Sequence, residues 1–240
     1  MGAQWKQKGR ELEAHKKGQV HGKLVREIMV AAKLGGAEPD LNARLAVAVE
    51  KAKKASVTRE TIDRAIKKGS GQTEEAVTIE LVTYEGFGPH KMPVIVECLT
   101  DNRNRTAPEI RRVFKAGALG QPGSMHFFFG HWGVVEATHT DKSRDPEGDA
   151  IEAGAQNVEP LEADEIPEGS QGARFLTEIK DLAAVSAWLA KAGWKIGASE
   201  MRYIAKTPVH LEGAAHQEVV AFLNELDDHD DVHHVYAALA

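Results

Sequence analysis

The spacing of apolar residues changes near residue 70, and this change restricts the chain to a mixed fold more than any other feature. Before it, Leu24, Val25, Ile28 and Met29 recur at three- and four-residue steps, as on one face of an amphipathic helix. After it, runs such as residues 93–99 are rich in β-branched residues, which is typical of strands. The sequence therefore predicts an α+β fold with a helical N-terminal part.

Residues 22–75 are predicted to form a basic three-helix domain. Its second helix is expected to start near Asp40 with Leu41 on the inner face, and its third at Thr58, a natural N-cap residue. Three short amphipathic helices can bury their apolar stripes against one another. A polar, basic arm over residues 1–21 precedes this domain.

Two α+β domains are predicted to follow the helical domain. Residues 132–205 carry the β-α-β-β-α-β order of a ferredoxin-like unit. This unit is inserted in the other domain, which combines residues 76–131 with residues 206–240. The domain that combines residues 76–131 with residues 206–240 is expected to contain strands over 77–84 and 124–129, among others.

Composition excludes several classes of protein. The chain has 240 residues, of which 42% are hydrophobic and 28% charged, unlike a disordered chain. It holds no apolar run near the roughly 18 residues of a membrane-spanning helix, and its opening residues lack the apolar core of a signal peptide. The single cysteine, Cys98, forms no internal disulfide and fits a reducing compartment. The sequence therefore predicts a cytoplasmic protein without a membrane partner.

The charge is distributed unevenly along the chain. The formal net charge is −6, but residues 1–70 hold 16 Lys and Arg against 8 Asp and Glu, a net of +8. Residues 116–240 hold 8 against 21, a net of −13. A basic segment beside an acidic remainder is typical of a polyanion binder, and the alternative is a solvated Lys/Glu helix face.

The candidate nucleic-acid contacts are cations of the N-terminal part, one aromatic residue beside them, and two arginines farther along. Trp5 is suited to stack on an exposed base, although a Trp in such a position more often anchors an arm to a core. The sequence shows no helix-turn-helix, zinc-finger or basic-zipper spacing, so it identifies no base-reading helix. The full set is Trp5, Lys6, Lys8, Arg10, Lys16, Lys17, Lys23, Arg26, Arg64, Lys67, Lys68, Arg103 and Arg105.

The two later arginines lie in the segment over residues 100–106, between a predicted strand and a predicted helix. Thr106 and Glu109 are spaced as a capping box, which would place both arginines just ahead of a helix N-terminus. That end of a helix dipole favours anions, so a phosphate docked there would satisfy Arg103 and Arg105. The alternative is that these arginines pair with Asp101 or with the acidic part of the chain.

Enzyme interpretations have less support in the sequence. The acids and histidines over residues 227–234 have the side chains of metal ligands, but His233 and His234 are expected on opposite faces of a strand. A solvated acidic turn is therefore favoured. Cys98 lies in an apolar run and is predicted to be a packed strand residue and not a nucleophile. With no nucleotide-binding fingerprint or Ser-His-Asp signature, the sequence predicts no catalytic residue, metal, cofactor or small-molecule substrate.

Five motifs follow one another along the chain: LVREI (24–28), AAKLGG (31–36), IDRAIKKG (62–69), YEGFGP (84–89) and TDNRNRT (100–106). Together they resemble the YebC family of probable transcriptional regulatory proteins, which includes the mitochondrial translational activator of cytochrome oxidase. The resemblance runs essentially end to end. The family's usual glycines after Gly88-Pro89 are His90 and Lys91 here, and its Asn-Met-Pro before the third helix is Ser56-Val57-Thr58.

This resemblance implies a three-domain protein without enzymatic activity. It implies either DNA binding in transcriptional control or ribosome-associated work that relieves stalling at consecutive prolines. The sequence accordingly predicts a nucleic-acid-binding regulator whose partner is DNA or, alternatively, ribosomal RNA and the ribosome. Two alternatives of other classes are a metal-dependent enzyme that uses the C-terminal acids and histidines, and an adaptor that binds proteins through the acidic domain.

Overall fold

The computed structural model describes the backbone of residues 4–73 and 79–240, and side chains there except at 4–16, 43, 116 and 164. This part of the chain forms helices and two antiparallel sheets, which confirms the α+β class. The helices are α1 (Gln4–Gly35), α2 (Ala43–Lys54), α3 (Arg59–Gly69), α4 (Arg103–Val113), α5 (Pro146–Ala153), α6 (Leu182–Lys191) and α7 (Gly213–Asp227). The strands are β1 (Glu80–Phe87), β2 (Pro93–Thr100), β3 (Ala118–Leu119), β4 (Phe129–His139), β5 (Asn157–Pro160), β6 (Gln171–Thr177), β7 (Lys195–Ala205) and β8 (Val232–Ala237).

The chain divides into two compact units. Unit 1 comprises Met1–Phe128 and Ala205–Ala240, and unit 2 comprises Phe129–Ile204. Unit 2 therefore interrupts unit 1 in sequence. The finer division into an arm, a helical domain and two α+β domains stays a prediction.

The helices α1 and α2 begin at other residues than the sequence predicts. The helix expected from Gly22 begins at Gln4, because Gly18 and Gly22 lower helix propensity without breaking the helix. The second helix begins after Asn42, whose side-chain oxygen accepts the Leu45 N–H at 3.1 Å. Leu41 lies in the 3₁₀ turn before that cap and is 87% exposed, so its predicted inward position is wrong.

The third helix begins as the sequence predicts. Thr58 caps it by accepting the Thr61 N–H at 3.3 Å, and Gly69 is its last residue. A Cβ at Gly69 would lie 2.2 Å from the Met29 carbonyl oxygen, so only glycine permits this approach of α3 to α1. The core of α1–α3 also includes Ile79 and Leu99, which places this helical layer over part of the first sheet.

The sheet of unit 1 has the strand order β3-β1-β2-β8. All eight residues of β2 are buried, as expected of a central strand. The strand predicted over 124–129 is wrong: the chain forms turns there, and the Glu85 carboxylate accepts the N–H groups of Gly123 and Met125, each at 2.8 Å. Between β1 and β2, His90 and Lys91 are in left-handed conformation, with φ of 56° and 57°.

Unit 2 has the predicted β-α-β-β-α-β order, with its strands arranged as β5-β6-β4-β7. Helices α5 and α6 contribute to a core that contains Phe175, Leu189 and Trp194. Glu136 of β4 forms ion pairs with residues of both neighbouring strands: with Arg174 of β6 at 2.9 Å and with Arg202 of β7 at 2.5 Å. In neither of the two described stretches of chain is a helix long and apolar enough to cross a membrane.

Candidate nucleic-acid interface

The N-terminus of α4 lies earlier than the sequence predicts. Asn102 is the N-cap, and its side-chain oxygen accepts the Arg105 N–H at 3.2 Å. The predicted capping box is therefore wrong: Thr106 is buried inside the first turn, and the Glu109 carboxylate lies 2.7 Å from the His229 ring. Arg103 and Arg105 consequently belong to the helix itself and do not precede it.

A buried carboxylate, Asp231, holds Arg105 in place. The Asp231 side chain is 3% exposed and lies 3.0 Å from the Arg105 guanidinium and 3.2 Å from that of Arg26. It also accepts hydrogen bonds from the hydroxyls of Thr106 at 2.7 Å and Thr100 at 3.3 Å. Burial acts to raise the pKa of Asp231, but the bonds from Thr106 and Arg105 and the charge of Arg26 outweigh it and hold the pKa below its ordinary value.

Two other residues of α1 also contact the turn that contains Asp231. Lys23 pairs with Asp227 at 3.2 Å, and the Gln19 amide donates to the Asp228 carbonyl at 2.9 Å. Lys23 and Arg26 additionally donate to the carbonyls of Asp227 and Asp230. The predicted contact residues Lys23, Arg26 and Arg105 thus already form ion pairs with carboxylates of unit 1. For Arg105 this agrees with the alternative interpretation of the sequence, in which it pairs with acidic residues of the chain.

The histidines after this turn are not arranged as the sequence predicts. The rings of His233 and His234 lie with their centroids 4.0 Å apart, so their expected placement on opposite faces is wrong. The register between β2 and β8 shifts between Glu97 and Cys98, which disturbs the alternation of side chains. Among residues 4–73 and 79–240, the structure brings together no group of three His, Cys, Asp or Glu side chains that could hold a metal ion.

The other predicted contact residues differ in their surroundings. Lys17 and Lys67 are exposed, Lys68 is half-buried, and Arg64 pairs with Glu60 at 2.9 Å on the surface of α3. Arg103 lies 3.7 Å from Glu80, and both side chains are largely exposed. The side chains of five predicted contacts lie outside the described residues: Trp5, Lys6, Lys8, Arg10 and Lys16.

Sequence reasoning missed two exposed arginines in the last turn of α4. In the described part of the chain, no ion pair engages Arg111 or Arg112. The signal was present, because both lie between Ile110 and Val113, which are buried on the inner face of an amphipathic helix. The C-terminal end of a helix also favours cations.

These two arginines line different clefts of unit 1. Arg112 lines a cleft of about 600 Å³ together with Arg26, Arg105 and the turn that contains Asp231. Arg111 lines a second cleft of about 370 Å³, which we name the β1–α4 groove. The groove is lined by Val82, Thr83, Tyr84 and Glu85 of β1, by Arg103, Asn104, Ala107 and Arg111 of α4, and by Leu119, Gly120 and Pro122.

Tyr84 is the aromatic residue of the β1–α4 groove. It is half-buried, and burial is the main cause that raises the pKa of its phenol. The charges of Arg103 and Arg111 act on this pKa in the opposite direction, because a positive charge favours the phenolate. The groove therefore combines an aromatic ring with two guanidinium groups that act on it electrostatically.

Comparison with known proteins identifies relatives of the whole chain. The model of the TACO1/YebC protein N-terminal domain matches residues 2–72, and that of the TACO1/YebC second and third domain matches residues 79–239. A probable transcriptional regulatory protein of Pseudomonas syringae pv. syringae (strain B728a) is 50% identical over 242 residues, and one of Bdellovibrio bacteriovorus is 46% identical over 241 residues; each match covers 100% of both chains. The crystal structure of a conserved hypothetical protein from Aquifex aeolicus has a TM-score of 0.75 and 37% identity, covering 94% of this chain and 90% of that one.

Proposed function

Because the chain belongs to the TACO1/YebC family, we propose that it is a nucleic-acid-binding regulatory protein, and specifically a DNA-binding regulator of transcription. The names of the relatives from Pseudomonas syringae and Bdellovibrio bacteriovorus support a regulatory role. In this proposal the protein acts in the cytoplasm, and the basic arm (1–21) and helical domain (22–75) supply contacts together with α4.

The observation that carries the proposal is a set of exposed cations of unit 1 that carboxylates do not neutralise within the described residues. They lie on α1, α2, α3 and α4 or directly after α4. Such side chains are available to replace the counterions of a phosphate backbone. The release of those counterions supplies most of the sequence-independent affinity for nucleic acid. The set includes Lys17, Lys53, Lys67, Arg111, Arg112 and Lys115.

Phosphate contacts position a protein on nucleic acid without reading its sequence. The ion pairs of Lys23, Arg26 and Arg105 reduce the positive field that these three present, so the unpaired set is expected to contribute more per residue. Binding is accordingly expected to be strongly salt-dependent and similar for unrelated duplexes.

A matched pair of double variants tests this proposal. Lys67→Ala with Arg112→Ala removes two unpaired cations of unit 1, and Lys142→Ala with Lys191→Ala removes two exposed cations of unit 2. For binding to a B-DNA duplex, the first variant should flatten the slope of log affinity against log salt by about 1 per lost phosphate contact, and the second should leave it unchanged. Equal slopes for both variants would contradict the assignment to unit 1.

The nature of the nucleic acid needs a separate measurement. Crosslinking in cells, followed by sequencing of both the bound DNA and the bound RNA, should recover chromosomal segments above the background of an untagged strain. Recovery of ribosomal RNA without DNA would replace the proposed transcriptional role by the translational one.

A further inference from the structure

The β1–α4 groove has the size of a small-ligand site. Its volume of about 370 Å³ lies within the range of roughly 300–1,000 Å³ that is usual for ligand pockets. One wall is a single stripe of α4, because Arg103, Ala107 and Arg111 follow one another at four-residue steps. A groove of this volume is large enough to hold a group of single-ring or double-ring size but far too small to hold a double helix.

The positive charges of the groove are available to a ligand. Arg111 has no ion pair within the described residues, and Arg103 has one long contact of 3.7 Å with exposed Glu80. Glu85 also lines the groove, but its two carboxylate oxygens accept the N–H groups of Gly123 and Met125. Glu85 thus fixes the opposite wall, and the two guanidiniums remain to bind an anion such as a phosphate bidentately.

Tyr84 adds an apolar component that an isolated phosphate would not use. Tyr84 lines the same groove as Arg103 and Arg111, and the charges of both guanidiniums act on the pKa of its phenol. Aromatic side chains beside arginines are the usual means of holding an unpaired base together with its phosphate. A base within a duplex is already stacked on both faces and offers no such surface.

We infer that the β1–α4 groove binds one unpaired nucleotide of a nucleic acid strand, with its phosphate at Arg103 and Arg111 and its base against Tyr84. This inference rests on the proposed function and specifies its ligand: the protein binds single-stranded, terminal or unstacked nucleotides in this groove. Cations outside the groove, among them Arg112, hold the backbone without distinguishing single from double strands.

Two neighbouring arginines provide the test. Full-length protein with Arg111→Ala or Arg112→Ala is titrated with ten-nucleotide oligothymidylate, with oligouridylate of equal length, and with a DNA duplex of equal length. Arg111→Ala should weaken binding to the single strands about tenfold, as expected for one charged hydrogen-bonding partner, and should weaken duplex binding no more than Arg112→Ala does. The two single strands distinguish DNA from RNA as the source of the nucleotide.

The aromatic contact is tested separately. Tyr84→Phe should retain single-strand binding, whereas Tyr84→Leu should weaken it about 5-fold or more, because stacking on an aromatic ring is lost. Thermal unfolding of each variant verifies that the sheet is intact. Should Tyr84→Leu fail to fold, the arginine pair still decides the question.

The outcomes separate the two proposals. Equal losses for Arg111→Ala and Arg112→Ala on single strands would overturn the nucleotide site while leaving nucleic-acid binding intact. Absence of binding by the unmodified protein to all three probes at low salt would overturn the proposed function and the groove together. A selective loss of single-strand binding on Arg111→Ala supports both.

Discussion

Replacing Asp231 by Asn should lower the free energy of unfolding of unit 1 by about 3 kcal/mol. The change removes the negative charge but keeps a side chain that can still accept from the Thr106 hydroxyl. Removal of one partner from a buried ion pair costs about 3–5 kcal/mol, and hydrogen bonds to charged groups contribute about 1.5–3 kcal/mol each. The side chains of Arg26 and Arg105 are 28% and 47% exposed, so water partly replaces the carboxylate and the loss falls at the low end.

The pH dependence of this variant follows from the lowered pKa of Asp231. A carboxyl whose pKa is lower in the folded protein than the ordinary value of 3.8 stabilises the fold above that value. This stabilisation is lost as the pH falls through the lowered, folded-state pKa. The difference in stability between the unmodified protein and Asp231→Asn should therefore be complete near neutral pH and should shrink as the pH falls below about 3.8.

Calorimetry of the full-length protein measures both effects. A loss of about 3 kcal/mol corresponds to a decrease in the unfolding temperature of unit 1 of about 6–12 °C. Asp228→Asn is the matched control, because Asp228 lies in the same turn but is exposed. Equal unfolding temperatures for the two variants, or a difference that persists unchanged in acid, would refute the assignment of Asp231 as the central anion of this cluster.

Two further predictions concern the backbone and the thiol of unit 1. Lys91→Gly should raise the free energy of unfolding by about 0.5–1 kcal/mol, because the strain of a lysine at φ 57° exceeds the entropic cost of glycine. A denaturant titration that finds the variant less stable would contradict this prediction. Cys98 should not react with a thiol reagent at pH 8 until the protein unfolds, because its side chain is 0% exposed. In addition, burial, aided by the charge of Asp231, raises the pKa of its thiol to about 12. Rapid stoichiometric labelling of the native protein would contradict this prediction.

Local chemistry in the sequence was sufficient to predict many elements of the fold. Thr58 identifies the start of α3 because it is an N-cap residue directly ahead of an amphipathic run. The change from helical apolar spacing to runs rich in β-branched residues identifies the mixed class. The β-α-β-β-α-β order of unit 2 is visible because turn residues separate its elements. In each case the residues that determine the element lie within one turn or one strand of it.

The candidate site was less predictable because its contacts connect distant parts of the chain. Asn102 and Thr106 are both good capping residues, and the capping-box spacing of Thr106 with Glu109 favours Thr106 in the sequence. The structure has Asn102 as the cap because the Thr106 hydroxyl bonds to Asp231, which lies 125 residues away. The same distant carboxylate pairs with Arg105, and no pattern near Arg105 indicates it. Arg111 and Arg112 differ only in the cleft they face, which depends on how α4 packs on its sheet.

The long-range pairing of β2 has a consequence for the order in which the protein folds during synthesis. Strand β2 pairs with β8, so one edge of this fully buried apolar strand stays open until residues 232–237 leave the ribosome. Unit 2, whose pairings all lie within Phe129–Ile204, can complete its sheet before that point. The part of the chain made first is therefore finished last, and β2 is the segment that a chaperone would have most reason to shield in the interval.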